Sequence, residues 1–260
     1  MQYKKYFKTA VNLSVLAICT INIIWLQKAN LKQQELVKND NFYLQQEKKI
    51  SSTAKIQNEI PSFGFNNLLA DLTFLRYLQY FGDVEAREVT GYSVVTDYFE
   101  NIVNRDPNFV QSHLVMSAAN SLFAAKPKIT VELIDKALET VTPNTPNYPF
   151  LLWTYKATDE ILFLGDLQSA EKSYEIAAKW AKTRQDELGN NMAKRYETTA
   201  AYLATNPDPT QAQIGAWMSV LSSAKDKKTI DYVVNKLEDL GVSVSMTNDG
   251  KLVVKHSKDV

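Results

Sequence analysis

The chain has 260 residues, 45% of them hydrophobic and 22% charged, enough to bury one good core and too apolar for intrinsic disorder. Its 29 Lys+Arg balance 29 Asp+Glu, so there is no basic excess to neutralise phosphates, and nucleic acid is not an expected partner. A single cysteine, Cys19, rules out an internal disulfide or a cysteine-based metal cluster, and with only 8 glycines and 8 prolines the composition suits an all-α chain.

A basic N-terminal segment, residues 1–8, carries Lys4, Lys5 and Lys8 and precedes Thr9–Leu26, an uncharged run broken only by Asn12 and Asn22. At about 1.5 Å per residue the run spans roughly 27 Å, close to the thickness of a hydrocarbon core. Trp25 sits at its end, where an amphipathic indole favours lipid headgroups, so the run reads as a transmembrane anchor. A cleaved signal peptide would need a small-x-small site that is not evident, and Ile18 is too bulky for the residue before a lipidated Cys19. The lysines place the N-terminus in the cytoplasm and the bulk of the chain in a periplasm or thylakoid lumen.

Residues 27–62, rich in Gln, Lys, Asn and Glu without a sustained heptad seam, read as a polar and partly helical stalk. Pro61 and Ser62-Phe63-Gly64 then mark a boundary. The stretch FGFNNLLADLTFLRYLQYFGD follows, and on a helical wheel it groups Phe65, Leu68, Leu69, Leu72, Leu75 and Gln79 on one face. Placing Asp71 and Arg76 in lipid would cost several kcal/mol, so this is the opening helix of a helical domain, residues 63–240, rather than a second span. Five residues apart, the two charges point about 140° from each other and are expected to meet different neighbouring helices.

Helical segments recur downstream. In FLGDLQSAEKSYEIAAKWA, Gly165-Asp166 supplies a tight turn, and Ala170, Tyr174 and Ala177 alternate small and aromatic residues at helical spacing. This pattern, with Trp153 and Tyr155 in the preceding helix, resembles the second half of a tetratricopeptide repeat (TPR), a helix-turn-helix unit of about 34 residues. Weaker echoes occur at Asp106-Pro107, at Ala137-Leu138 with Pro143, and at Tyr196, Ala200 and Leu203 with Asn206-Pro207. Between the first of these, KPKI replaces the glycine turn. The region from LLADLTFLRYLQYFGD to Tyr98 is also similar to membrane-anchored repeat proteins of bacteria, cyanobacteria among them. The resemblance implies a degenerate TPR-like solenoid, a right-handed superhelix of helical hairpins. In residues 241–260, alternating valines around Asn248-Asp249-Gly250 predict a C-terminal β-hairpin.

No nucleophile elbow, phosphate loop, dinucleotide loop or HExxH is present, and neither a metal nor a cofactor is expected. His113 and His256 are too far apart in sequence for a local ligand pair. The repeat resemblance implies a membrane-anchored scaffold whose groove binds a protein or peptide partner while a membrane complex is assembled or maintained. Candidate groove contacts are Arg76, Tyr77, Tyr80, Trp153 and Tyr155. The competing readings are a helical envelope hydrolase using Asp71, Arg76 or Glu160, and a structural subunit that braces a complex.

Overall fold

The computed structural model describes residues 14–28, 39–246 and 252–256. The chain divides into two units, Met1–Gln46 and Glu47–Val260.

In the first unit, residues 14–28 form helix α1, whose surface is apolar: Leu16, Ile21 and Trp25 are all well exposed. The polar groups of Thr20 and Asn22 turn back onto the carbonyls of Leu16 and Ile18, at 2.8 Å each. The expectation of a membrane anchor is overturned. Among the described residues no helix is long and apolar enough to cross a membrane. The described part of α1 reaches only about 22 Å, short of the ~30 Å of a hydrocarbon core. The single-pass topology, with a cytoplasmic N-terminus and a periplasmic or lumenal bulk, falls with it. Residues 1–13, which include the start of the expected span, lie outside the described residues.

Helix α2 (Asp40–Glu59) contains the division between the units. Its second part, expected as a stalk, is docked on α5 (Val95–Arg105). Asn101 Nδ2 donates to the Ala54 carbonyl at 2.8 Å, Ser51 Oγ donates to Asp97 Oδ2 at 3.0 Å, and Arg105 reaches the carbonyls of Gln57 and Ile60. Polar groups thus hold a segment that its composition alone would leave in water.

Helix α3 (Asn66–Gly82) packs on α5 through Ala70, Thr73, Tyr77 and Tyr80, the face opposite to its leucines. Asp83 ends it and caps α4 (Val84–Thr90), accepting from Ala86 N at 3.2 Å. Gly91, at φ 64°, stops α4, and a Cβ there would fall 2.2 Å from Asp226 Oδ2. Beneath it, Arg87 pairs with Glu47 at 3.2 Å, donates to Gly91 O at 2.7 Å and lies 3.5 Å from the centre of the Tyr80 ring.

Two helical hairpins follow. The first joins α6 (Val110–Ser117), a π-helical turn π1 (Ala118–Phe123) and α7 (Pro127–Leu138). The second joins α8 (Phe150–Asp159), a π-helical turn π2 (Glu160–Leu164) and α9 (Leu167–Lys182). Helix α10 (Glu187–Leu203) packs along α9. Helix α11 (Thr210–Ser223) lies against π1 and π2, where Trp217 meets Phe163 edge-to-face at 5.1 Å. Helix α12 (Lys227–Asp239) packs on α11 and on β1 (Val242–Met246), which pairs antiparallel with β2 (Leu252–His256) in the register Val244↔Val254. The intervening turn residues lie outside the described set. Asp166, Asp186 and Asp226 each accept a backbone N–H at the start of α9, α10 and α12, so aspartate N-caps set three of these boundaries.

Candidate functional site

The two hairpins begin at Val110 and Phe150, an offset of 40 residues, and their turns close in the same way. Lys126 N donates to Asn120 O and Asp166 N donates to Glu160 O, each at 2.9 Å and each across six residues. Left-handed backbone falls at Ala125 in one (φ 54°) and at Gly165 in the other (φ 68°).

What lies inside the closures differs. In the first, Thr96 Oγ1 donates to Asn120 Oδ1 at 3.2 Å and Ser121 Oγ donates to Thr130 Oγ1 at 3.1 Å. In the second, Ser173 Oγ donates to Glu160 Oε2 at 2.8 Å, Lys156 Nζ stands 3.6 Å from Glu160, and Ser117 Oγ donates across to Asp159 Oδ2 at 3.0 Å. Burial pushes the Asp159 carboxyl up to about 7 against the opposing hydrogen bonds from Ser117 and Ser121, and raises Glu160 as well. A carboxyl that titrates near neutrality suits acid–base work only where substrate can reach it. Asp159 and Glu160 are 1% and 3% exposed, so the seam is a sealed structural network.

Among the described residues are two concave surfaces that face solvent. A groove of about 390 Å³ runs between α9 and α10. Its floor is Ala178, Ala200, Ala201 and Ala204, and its rims carry Glu171 and Glu175 on one side and Glu197 on the other, with Lys179 the one cation. Glu197 is paired with Lys182, whereas Glu171 and Glu175 make no ion pair among the described residues. A second pocket of about 320 Å³ is basic, bringing Lys126 and Lys128 at the start of α7 to Lys228 and Tyr232 of α12. Burial there lowers the Lys126 pKa, and its ammonium donates to Ser93 O at 3.2 Å.

Among the residues singled out from the sequence, Tyr77 and Tyr80 belong to the core and offer no surface to a partner. Tyr77 packs on Phe99 at 4.6 Å, and burial pushes its phenol up to about 12. The Tyr80 hydroxyl donates to Glu47 Oε1 at 2.9 Å, and burial raises its pKa further still. Trp153 is half-buried against Trp180 at 5.7 Å, with Lys156 over its ring, and Tyr155 is exposed. Neither lines the groove between α9 and α10. Arg76 and Asp71 are both exposed on α3 and make no hydrogen bond or ion pair among the described residues; Arg76 acts electrostatically on Tyr98 of α5 and Asp71 on Asp106 beyond its end, so the two face different neighbours without pairing. Nor does the trio suggested for a hydrolase converge, since the partners of Glu160 are Ser173 and Lys156. Among the described residues no group of three His, Cys, Asp or Glu side chains is placed to hold a metal ion.

The groove went unread because alanine carries no chemistry of its own. Its signal was alanine at 178 on α9 and again at 200, 201 and 204 along and just past α10. The molecule is thus an all-α protein, and two of its helical hairpins turn through a π-helical segment. No protein-family model matches the chain, and no curated protein or solved structure is similar to it.

Proposed function

We propose that this protein is a protein–protein interaction scaffold, a degenerate TPR-like stack of helical hairpins that receives a basic peptide segment of a partner in the groove between α9 and α10. The observation that carries this reading is the groove's construction. Four alanines make its floor, so a guest backbone can approach closely, and its rims present more negative charge than positive. Burying an extended or helical segment against small side chains gains contact area, while Lys or Arg on that segment would meet Glu171 and Glu175.

Each of α8, α9 and α10 packs on its neighbour in sequence, the succession that a solenoid-like stack requires. A scaffold of this type serves the assembly or maintenance of a larger complex by holding one component through an exposed segment. The test is a peptide array probed with the purified chain. Lys- and Arg-rich segments should be retained at micromolar affinity, and Glu171→Lys with Glu175→Lys should weaken them about tenfold, the size expected for losing two rim charges. Equal retention of acidic and basic segments, or indifference to the double substitution, would overturn the proposal.

A further inference from the structure

Helix α3 buries its aromatic and small residues and leaves its leucines in water. Leu68, Leu72 and Leu75 are 54%, 43% and 55% exposed, whereas Tyr77 is 2% exposed. These leucines follow a heptad in which Phe65 and Leu72 hold one seam position and Leu68 and Leu75 the other. In that heptad Asp71 and Arg76 flank the seam on opposite sides. Their separation of five residues is the spacing at which a flanking residue of one strand meets a flanking residue of the other in a parallel two-stranded coiled coil. Both charges are exposed and neither makes an ion pair among the described residues: Arg76 faces the neutral phenol of Tyr98, and Asp71 faces the like charge of Asp106.

We infer that α3 is a dimerisation helix whose occupant is the α3 of a second copy of this chain, parallel to it, with the leucines as the seam. Two symmetric Asp71–Arg76 ion pairs, one on each side, fix the register. With Phe63, Phe65 and Leu78 the exposed patch amounts to roughly 700 Å², near the ~800 Å² that each partner contributes to a standard stable interface. The two-fold axis makes the surface self-complementary, as a closed dimer requires. An antiparallel arrangement would leave both charges without opposite-sign neighbours.

The experiment is sedimentation equilibrium of the full chain, with circular dichroism to verify that each variant is folded. The wild type should dimerise at micromolar concentration, and Leu72→Glu should be monomeric with an unchanged spectrum. Asp71→Arg should weaken the dimer about tenfold by facing like charges, and adding Arg76→Asp should restore it. Leu68→Cys in a Cys19→Ser background should cross-link to itself on oxidation, which only the parallel register allows. A monomeric wild type, a dimer that survives Leu72→Glu, a double charge exchange that fails to restore association, or a Leu68→Cys variant that does not cross-link would each overturn the inference.

Discussion

The hairpins α6–π1–α7 and α8–π2–α9 share a backbone and differ in what they enclose. Both end their first helix in a π-helical turn, both close with a bond across six residues, and both place one left-handed residue before the second helix. Yet the first encloses Asn120, Ser121 and Thr130, which do not ionise, and the second encloses Asp159, Glu160 and Lys156, which do. The difference teaches that the turn's geometry is fixed by its hydrogen-bond register and not by the identity of the buried polar group, so chemistry can vary inside a constant frame.

That contrast can be broken first by pH. His113, in the first hairpin, is held neutral by burial, which lowers its pKa to about 4; its Nε2 lies 2.9 Å from Pro107 O. The unfolded chain takes up that proton near 6.5, so this contribution is complete above about 6.5 and is lost as pH falls toward 4. Asp159 has the opposite sign. Its folded pKa, about 7, lies above the unfolded 3.8, so its contribution is complete below about 3.8 and is lost as pH rises toward 7. Each spans on the order of 3 kcal/mol, and in the wild type the two slopes largely cancel. Asp159→Asn removes one of them. Its stability in urea titrations should fall steeply from pH 6.5 to pH 4, where the wild type stays nearly level; parallel profiles would show that the two hairpins do not titrate in opposition.

A second break strands the charge. Lys156→Met leaves Glu160 buried beside Ser173 without its cation and should cost about 2–3 kcal/mol at pH 8, most of it recovered by adding Glu160→Gln. Thermal unfolding of the two variants measures the recovery, and additive losses would mean that the pair is not coupled. The smallest break sharpens the backbone comparison. Gly165→Ala should cost about 1–2 kcal/mol, because it forces a Cβ into left-handed backbone with Gln213 Nε2 2.8 Å away. At the matching position, Ala125→Gly relieves the same backbone strain but removes a buried methyl, so its effect should stay within about 1 kcal/mol.

The same comparison explains what could be read in the sequence. The second hairpin announced itself because Gly165-Asp166 is a favourable turn and cap. The first was hidden because Ala125 takes left-handed backbone that alanine rarely adopts, held there by the closure from Lys126 N to Asn120 O. Helicity and the break between helices near Pro61 were legible from composition and turn residues, but the domain boundary expected there was not, since the two units divide between Gln46 and Glu47, inside α2. The side of α3 that is buried was not: a hydropathy wheel favours the leucines. The fold instead buries Tyr77 and Tyr80, because Glu47 satisfies the Tyr80 hydroxyl and Thr73 Oγ1 bonds to the Leu69 carbonyl at 2.7 Å. Those partners lie on another helix or on the backbone, and a linear reading does not see them. Among the candidate contacts, aromatic residues were favoured as groove-formers, whereas the groove is floored by alanine.

The central claim is that the groove between α9 and α10 holds a basic segment of a partner. Its most direct test is methyl NMR of alanine-labelled protein titrated with a lysine-rich peptide. The account predicts saturable shifts concentrated at Ala178, Ala200, Ala201 and Ala204, abolished by Glu171→Lys with Glu175→Lys. Shifts centred on the alanines of π1 and α7, or no shifts at saturating peptide, would contradict it.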